Sequence, residues 1–153
     1  MPDPNVTEKD VAELIEMTDL AAKAYISGDM RTYFSLIRHE DDHVLFAPLG
    51  GEPRLGAHTS PERIEALEQV FRGGEAELEV VRVFASGDMV VLAAVERQHG
   101  EVGGLPDQDW SLRVTLVFRR DEAGWRQVHR HADALVHPIT MDHLSLLATG
   151  TAG

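Results

Sequence analysis

The sequence has no cysteine. Disulfide frameworks, thiolate zinc sites and thiol nucleophiles are excluded with it, and the chain fits a reducing compartment. Basic residues are scarce. Fourteen Lys and Arg stand against 26 Asp and Glu, for a formal net charge of -12. A surface of that sign repels phosphate backbones, so nucleic acid is not an expected partner. Long apolar runs are missing as well. No segment has the length that spans a bilayer. The opening "MPDPNVTEKD" lacks the basic region and apolar core of a secretory signal. The expectation is a soluble, cytoplasmic protein with no membrane partner. No internal repeat or low-complexity tract is present. A chain of 153 residues suits one domain, 1–153, with residues 1–6 and 149–153 as flexible ends. Such a chain buries roughly two thirds of its unfolded surface and needs no metal or disulfide to fold.

What is there is a change of hydrophobic period midway along the chain. Thr7 caps a helix, with Asp10 three residues later. Val11, Leu14, Ile15, Thr18, Ala21, Ala22 and Tyr25 then follow helical spacing. Gly28 stops that helix, and Asp29 caps a second one with Met30, Tyr33, Phe34 and Ile37 on one face. "HVLFA" is a short strand, and Pro53 to Gly56 leaves room for another. Thr59 or Ser60 caps a third helix, which Gly73-Gly74 end. The second half alternates: "EAELEVVRVFAS", "MVVLAAVERQHG", "DWSLRVTLVFRR" and "WRQVHRHADALV" are four long antiparallel strands. "TMDHLSLLA", capped by Thr140, is a short terminal helix. Helices segregated from strands define an α+β fold. The architecture expected is a cone-shaped, curved antiparallel sheet with three helices of the N-terminal half packed on its concave face. Such a cone encloses a cavity, the default place for a ligand.

The stretch "GWRQVHRHADAL" sets His129, His131 and Asp133 at alternating positions. Alternate strand residues share a face, roughly 6.5–7 Å apart, so these three project in one row with Trp125 and Gln127. Three readings stay open. The His-x-His pair chelates a metal, with His99 as a third ligand; both histidines are hydrogen-bonded core residues; or one faces the cavity as acid, base or donor, tuned by Asp133 or Arg113. Missing cysteines and scattered histidines argue against metal, so no metal and no cofactor are expected. Arg113 stands inside "LRVTLVF", where a guanidinium must be paired, with Asp133 or Glu96, or must bind something. The tight hairpin "RRDEAGWR" places Arg113 opposite the His131 to Asp133 stretch. The expectation is that Arg113 and His131 face the same cavity and bind an anionic or carbonyl oxygen; a one-residue slip turns the histidines to the other face. The candidate catalytic residues are His131, His129 and Asp133. Arg113, Tyr25, His99 and Trp110 are the candidate binding residues. His39, His43, His58, His137 and His143 are expected at the surface. Both faces of the Arg113 strand alternate with apolar residues, and one layer of helices covers only one of them. A homodimer packed sheet to sheet is therefore expected.

The element order, with the "SGD" corner, the "APLGG" segment and the closing "RRDEAGWRQVHRHAD", resembles the nuclear transport factor 2-like superfamily. That group includes ketosteroid isomerases, SnoaL-like polyketide cyclases and limonene epoxide hydrolases. The resemblance implies a cystatin-like α+β roll that binds a small molecule. The isomerase tyrosine falls near Ala21 and the isomerase base at Ala47, before Pro48, so that base is absent. Asp109, Arg113 and Asp133 are the residues available for the Asp-Arg-Asp arrangement of the epoxide hydrolases, without a matching local motif. The closing segment is similar to the SnoaL-like branch and to the association domain of calcium/calmodulin-dependent kinase II, through Arg119, Arg120, Asp121, Trp125, Val128, His129 and His131. Thr115 and Ala132 replace two arginines of that pattern. The function implied is binding of a small, partly apolar carbonyl or carboxylate compound, with isomerase, cyclase or hydratase chemistry. The alternative is a non-catalytic ligand-binding or assembly module.

Overall fold

In the computed structural model, which describes residues 5–57 and 60–150, helix α1 covers Glu8–Ile26. Its start is a reciprocal cap: the Thr7 hydroxyl accepts from the Asp10 amide, and the Asp10 carboxylate accepts from the Thr7 amide. Leu14, Ala21 and Ala24 form its core-facing stripe. The corner after it requires glycine. Gly28 has φ +85, and a Cβ there would lie 2.2 Å from the Phe71 carbonyl oxygen. Asp29 caps α2, Met30–Leu36. Strands β1, His39–Phe46, and β2, Arg54–Leu55, follow. Ser60 caps α3, Pro61–Val70; Thr59, the other candidate cap, and His58 lie outside the described residues.

The second half supplies β3, Phe71–Ser86, β4, Met89–Val102, β5, Gln108–Asp109, β6, Leu112–Asp121, and β7, Gly124–Asp133. The terminal helix is α4, Met141–Thr149, capped by Thr140. The sheet runs β2-β1-β7-β6-β4-β3, with β5 paired to β4. The sheet expected to be antiparallel contains one parallel pair, β1 with β7. β5 has only two residues, too few to leave a period in the sequence.

One face of the sheet meets the helices. Val90, Leu92, Ala94, Val114, Leu116, Phe118 and Ala132 pack there against α1 and α2. In β7 a bulge interrupts the alternation. Val117 pairs with His129 and Phe118 with Gln127, leaving Val128 as the extra residue. Trp125, Gln127, Arg130 and Ala132 therefore share the helix side, while His129, His131 and Asp133 share the outer side. Helix α4 has no buried residue.

Candidate ligand site in the cone

The helix side of β7 carries a charge in the core. Arg130 is in register with Leu116 of β6 and Leu45 of β1. Its guanidinium reaches across β6 to Glu96 of β4 with two parallel hydrogen bonds of 2.9 and 2.8 Å. Glu96 is only 4% exposed. Burial works against the Arg130 charge, but the facing Glu96 carboxylate outweighs it and holds the arginine pKa above its usual value.

Tyr33 and Tyr25 lie within electrostatic reach of Arg130 and belong to a cluster of aromatic rings. Tyr25 meets Tyr33 at 4.9 Å and Phe71 at 4.7 Å between centroids; Phe34 stacks edgewise on Tyr33 at 5.0 Å. Burial pushes the pKa of both tyrosines up, so both hydroxyls stay protonated and able to donate. Arg130, Arg63 and Arg54 each pull Tyr25 the other way. His39 packs on Tyr33, Phe34 and His43. Burial, then the nearby His43 and Arg130, lower its pKa to about 4, so the imidazole is neutral at neutral pH. Its Nδ1 is buried with no hydrogen-bond partner. His43 Nε2 donates to Gln127 Oε1 at 3.0 Å. The surface placement expected for His39 and His43 is thus overturned: β1 begins at His39, and an irregularity between His39 and Val44 leaves Asp41 and Asp42 exposed and His43 buried. His137 and His143 are exposed, as expected.

The residues selected from sequence separate into three places. Tyr25 is in the cone. Arg113, His129, His131 and Asp133 come together, but on the outer face. The register opposing Arg113 to Asp133 is present, and the two form a bidentate pair of 2.9 and 3.0 Å with Arg113 about half exposed. The expectation that Arg113 and His131 face the helix-lined cavity is therefore corrected. In β6 the alternation is unbroken and Val114, Leu116 and Phe118 take the core side, so Arg113 faces out; in β7 the extra residue at Val128 shifts the parity of everything after it and turns His131 out. Outside, His129 Nδ1 donates to the Val44 carbonyl at 2.7 Å, and the Phe46 ring lies 5.2 Å from each imidazole. His99 and Trp110 sit at the β4–β5 end. His99 faces Asp107 and Glu75, and the Trp110 indole donates to the Gly100 carbonyl. Among the described residues no three His, Cys, Asp or Glu side chains are grouped to hold a metal ion. Two open grooves lie elsewhere. One of about 620 Å³ runs between α1 and β3, and one of about 500 Å³ lies beside His99 and Asp109.

Sequence reading missed Arg130, Tyr33, His39 and Gln127. A signal for half of the pair was present. Glu96 ends the apolar run "VVLAAVE", and a carboxylate there invites an opposite charge. Arg130 carries no such signal, because its strand also holds Arg126, Gln127 and Asp133.

The curved, unclosed sheet with helices on one side and a polar cluster inside defines a cystatin-like α+β roll of the nuclear transport factor 2-like superfamily. Within it the chain belongs to the SnoaL-like domain family, whose model matches residues 15–136. Solved structures share the fold. A candidate dehydratase of the nuclear transport factor 2-like family from Streptomyces avermitilis is 20% identical, with 86% of this chain and 100% of that chain covered and a TM-score of 0.67. A nuclear transport factor 2-like superfamily protein from Salmonella enterica is 16% identical, with 90% and 99% covered and a TM-score of 0.68. The calcium/calmodulin-dependent kinase II hub of S. rosetta is 21% identical, with 80% and 94% covered and a TM-score of 0.61. No curated protein matches the chain. No helix among the described residues is long and apolar enough to cross a membrane.

Proposed function

We propose that this SnoaL-like protein binds a small, partly apolar carbonyl or carboxylate compound in the cone. The ligand oxygen points toward Tyr25, Tyr33 and Arg130. The observation that carries this reading is the buried Arg130–Glu96 pair within reach of Tyr25 and Tyr33, together with the unpartnered Nδ1 of nearby His39. A buried ion pair contributes little to stability compared with apolar residues of the same size. Here it places charge where a ligand would meet it. Tyr25 and Tyr33 supply protonated donors. Ala47 supplies no carboxylate at the isomerase base position, so binding is the primary activity. Any isomerase, cyclase or hydratase step falls to the tyrosines and neutral His39.

The test is thermal denaturation with a panel of small cyclic ketones and carboxylic acids, on the wild type and on Arg130→Met/Glu96→Leu. At least one compound should raise the wild-type Tm and leave the double variant unmoved. A panel that moves neither protein, or both equally, overturns the reading.

An assembly role is the second reading, favoured by the outer face. Phe84, Val91, Val117, His129 and Val44 align across five strands, and Ala93, Thr115, His131 and Phe46 form the next row. Among the described residues no helix covers them. A second copy, packed sheet to sheet, is the partner these rows suit, and it encloses the Arg113–Asp133 pair and both histidines.

A further inference from the structure

Two arginines, on β2 and at the start of α3, stand without a carboxylate in a chain of net charge -12. Six arginines of β4, β6 and β7 each hold a carboxylate: Arg97, Arg113, Arg119, Arg120, Arg126 and Arg130. Arg54 and Arg63 do not. Among the described residues no carboxylate lies within ion-pair distance of either, nor of Arg31, Arg38, Arg72 and Arg82; Arg54 and Arg63 differ from those four in that each acts on the other or on Tyr25.

Their placement is set by register. Arg54 of β2 pairs with Leu45 of β1, and Leu45 pairs with Arg130 of β7. Laterally paired residues project from the same side, so Arg54 and Arg130 share the helix side, two strand spacings or roughly 9.5 Å apart. Arg63 lies in the first turn of α3, after the Ser60 cap. Tyr25 of α1 lies within the electrostatic reach of all three arginines. Packing does not explain this convergence: both residues of β2 are exposed and α3 has no buried residue. Arg63 is partly buried, and burial and then the charge of Arg54 both work against its own charge. Two like charges held together are unfavourable unless an anion lies between them.

We infer that Arg54 and Arg63 form a two-guanidinium clamp at the cone mouth for the carboxylate of a small organic acid, with the Tyr25 hydroxyl as third donor. A planar carboxylate matches the guanidinium fork. The half-buried rings of Tyr25 and Phe71 offer apolar surface to the organic part. The clamp rests on the cone being the ligand site, and it narrows the ligand from carbonyl compounds in general to acids.

The experiment is an NMR titration with benzoate and with benzamide, its uncharged counterpart, up to tens of millimolar. It follows the arginine Nε–H signals and the ring signals of Tyr25, Tyr33 and His39. Arg113 is the internal control, since Asp133 already occupies its guanidinium. Benzoate should move Arg54, Arg63 and Tyr25 and leave Arg113 in place. Arg54→Gln and Arg63→Gln should each weaken benzoate about tenfold, the loss of one charge-assisted hydrogen bond, and leave benzamide unchanged. The backbone amide spectrum of each variant reports that it has folded. If either probe moves Tyr33 and His39 while Arg54 and Arg63 stay still, the clamp is wrong and the cone site stands. If both probes leave every one of these signals still, or benzoate moves Arg113 as much as the pair, the clamp is overturned; silence in the cone overturns the ligand site with it.

Discussion

Arg130 illustrates the difference between removing one member of a pair and removing both. Arg130→Met leaves Glu96 charged and buried, which should cost about 3–5 kcal/mol in urea denaturation. Adding Glu96→Leu should restore most of that stability. A double variant no more stable than Arg130→Met would show that the pair does not act as a unit. His39 makes a pH prediction. Its folded pKa of about 4 lies below the 6.5 of the free imidazole. The folded state therefore binds fewer protons than the unfolded state across that interval. The stability it contributes is present above pH 6.5 and is lost as the pH falls toward 4. His39→Phe should flatten the stability curve over that window. The carboxylates of Asp10, Asp29 and Asp42, all held below their usual 3.8 by hydrogen bonds, add their own loss only at lower pH.

At the scale of elements, the Gly28 corner fixes how α1 leaves the sheet. Gly28→Ala meets both a left-handed backbone and the Phe71 carbonyl, and should destabilise by about 2 kcal/mol or more, read from the urea midpoint. A shift within experimental error would mean that the corner relaxes. This corner was legible in the sequence, because Gly-Asp between two periodic stretches is a local signal. So were the caps at Thr7, Asp29 and Thr140, the third cap to within Thr59 or Ser60, and the hairpin that sets Arg113 against the His131 to Asp133 stretch. The Val128 bulge was not legible. Valine fits a strand whether or not it is paired, so one extra residue changes no local preference. It does change every facing residue beyond it, which is why unbroken alternation in the sequence points the histidine row into the cone. The β1–β7 pairing was hidden for a related reason: it joins segments more than eighty residues apart, and no periodicity reports a lateral neighbour.

For the whole molecule, the outer rows predict a homodimer in solution. Thr115 is exposed and lies between Ala93 and His131. Thr115→Glu should leave the monomer fold intact, by circular dichroism, and halve the mass measured by light scattering, because two carboxylates would face each other across a two-fold contact. A wild type that scatters as a monomer at micromolar concentration removes the dimer.

The parallel pairing of β1 with β7 also has a kinetic consequence. β7 is the last strand of the sheet in sequence, yet it sits between β1 and β6. On the ribosome, α1, α2 and β1 emerge long before the strand that holds β1 in place. His39 and His43 must then wait, uncovered, until the final hairpin closes the sheet. Contacts this distant in sequence slow folding by the entropy of the loop they close. The first half of the chain is thus unable to mature by itself, and assembly of the cone is timed by the arrival of its last strand.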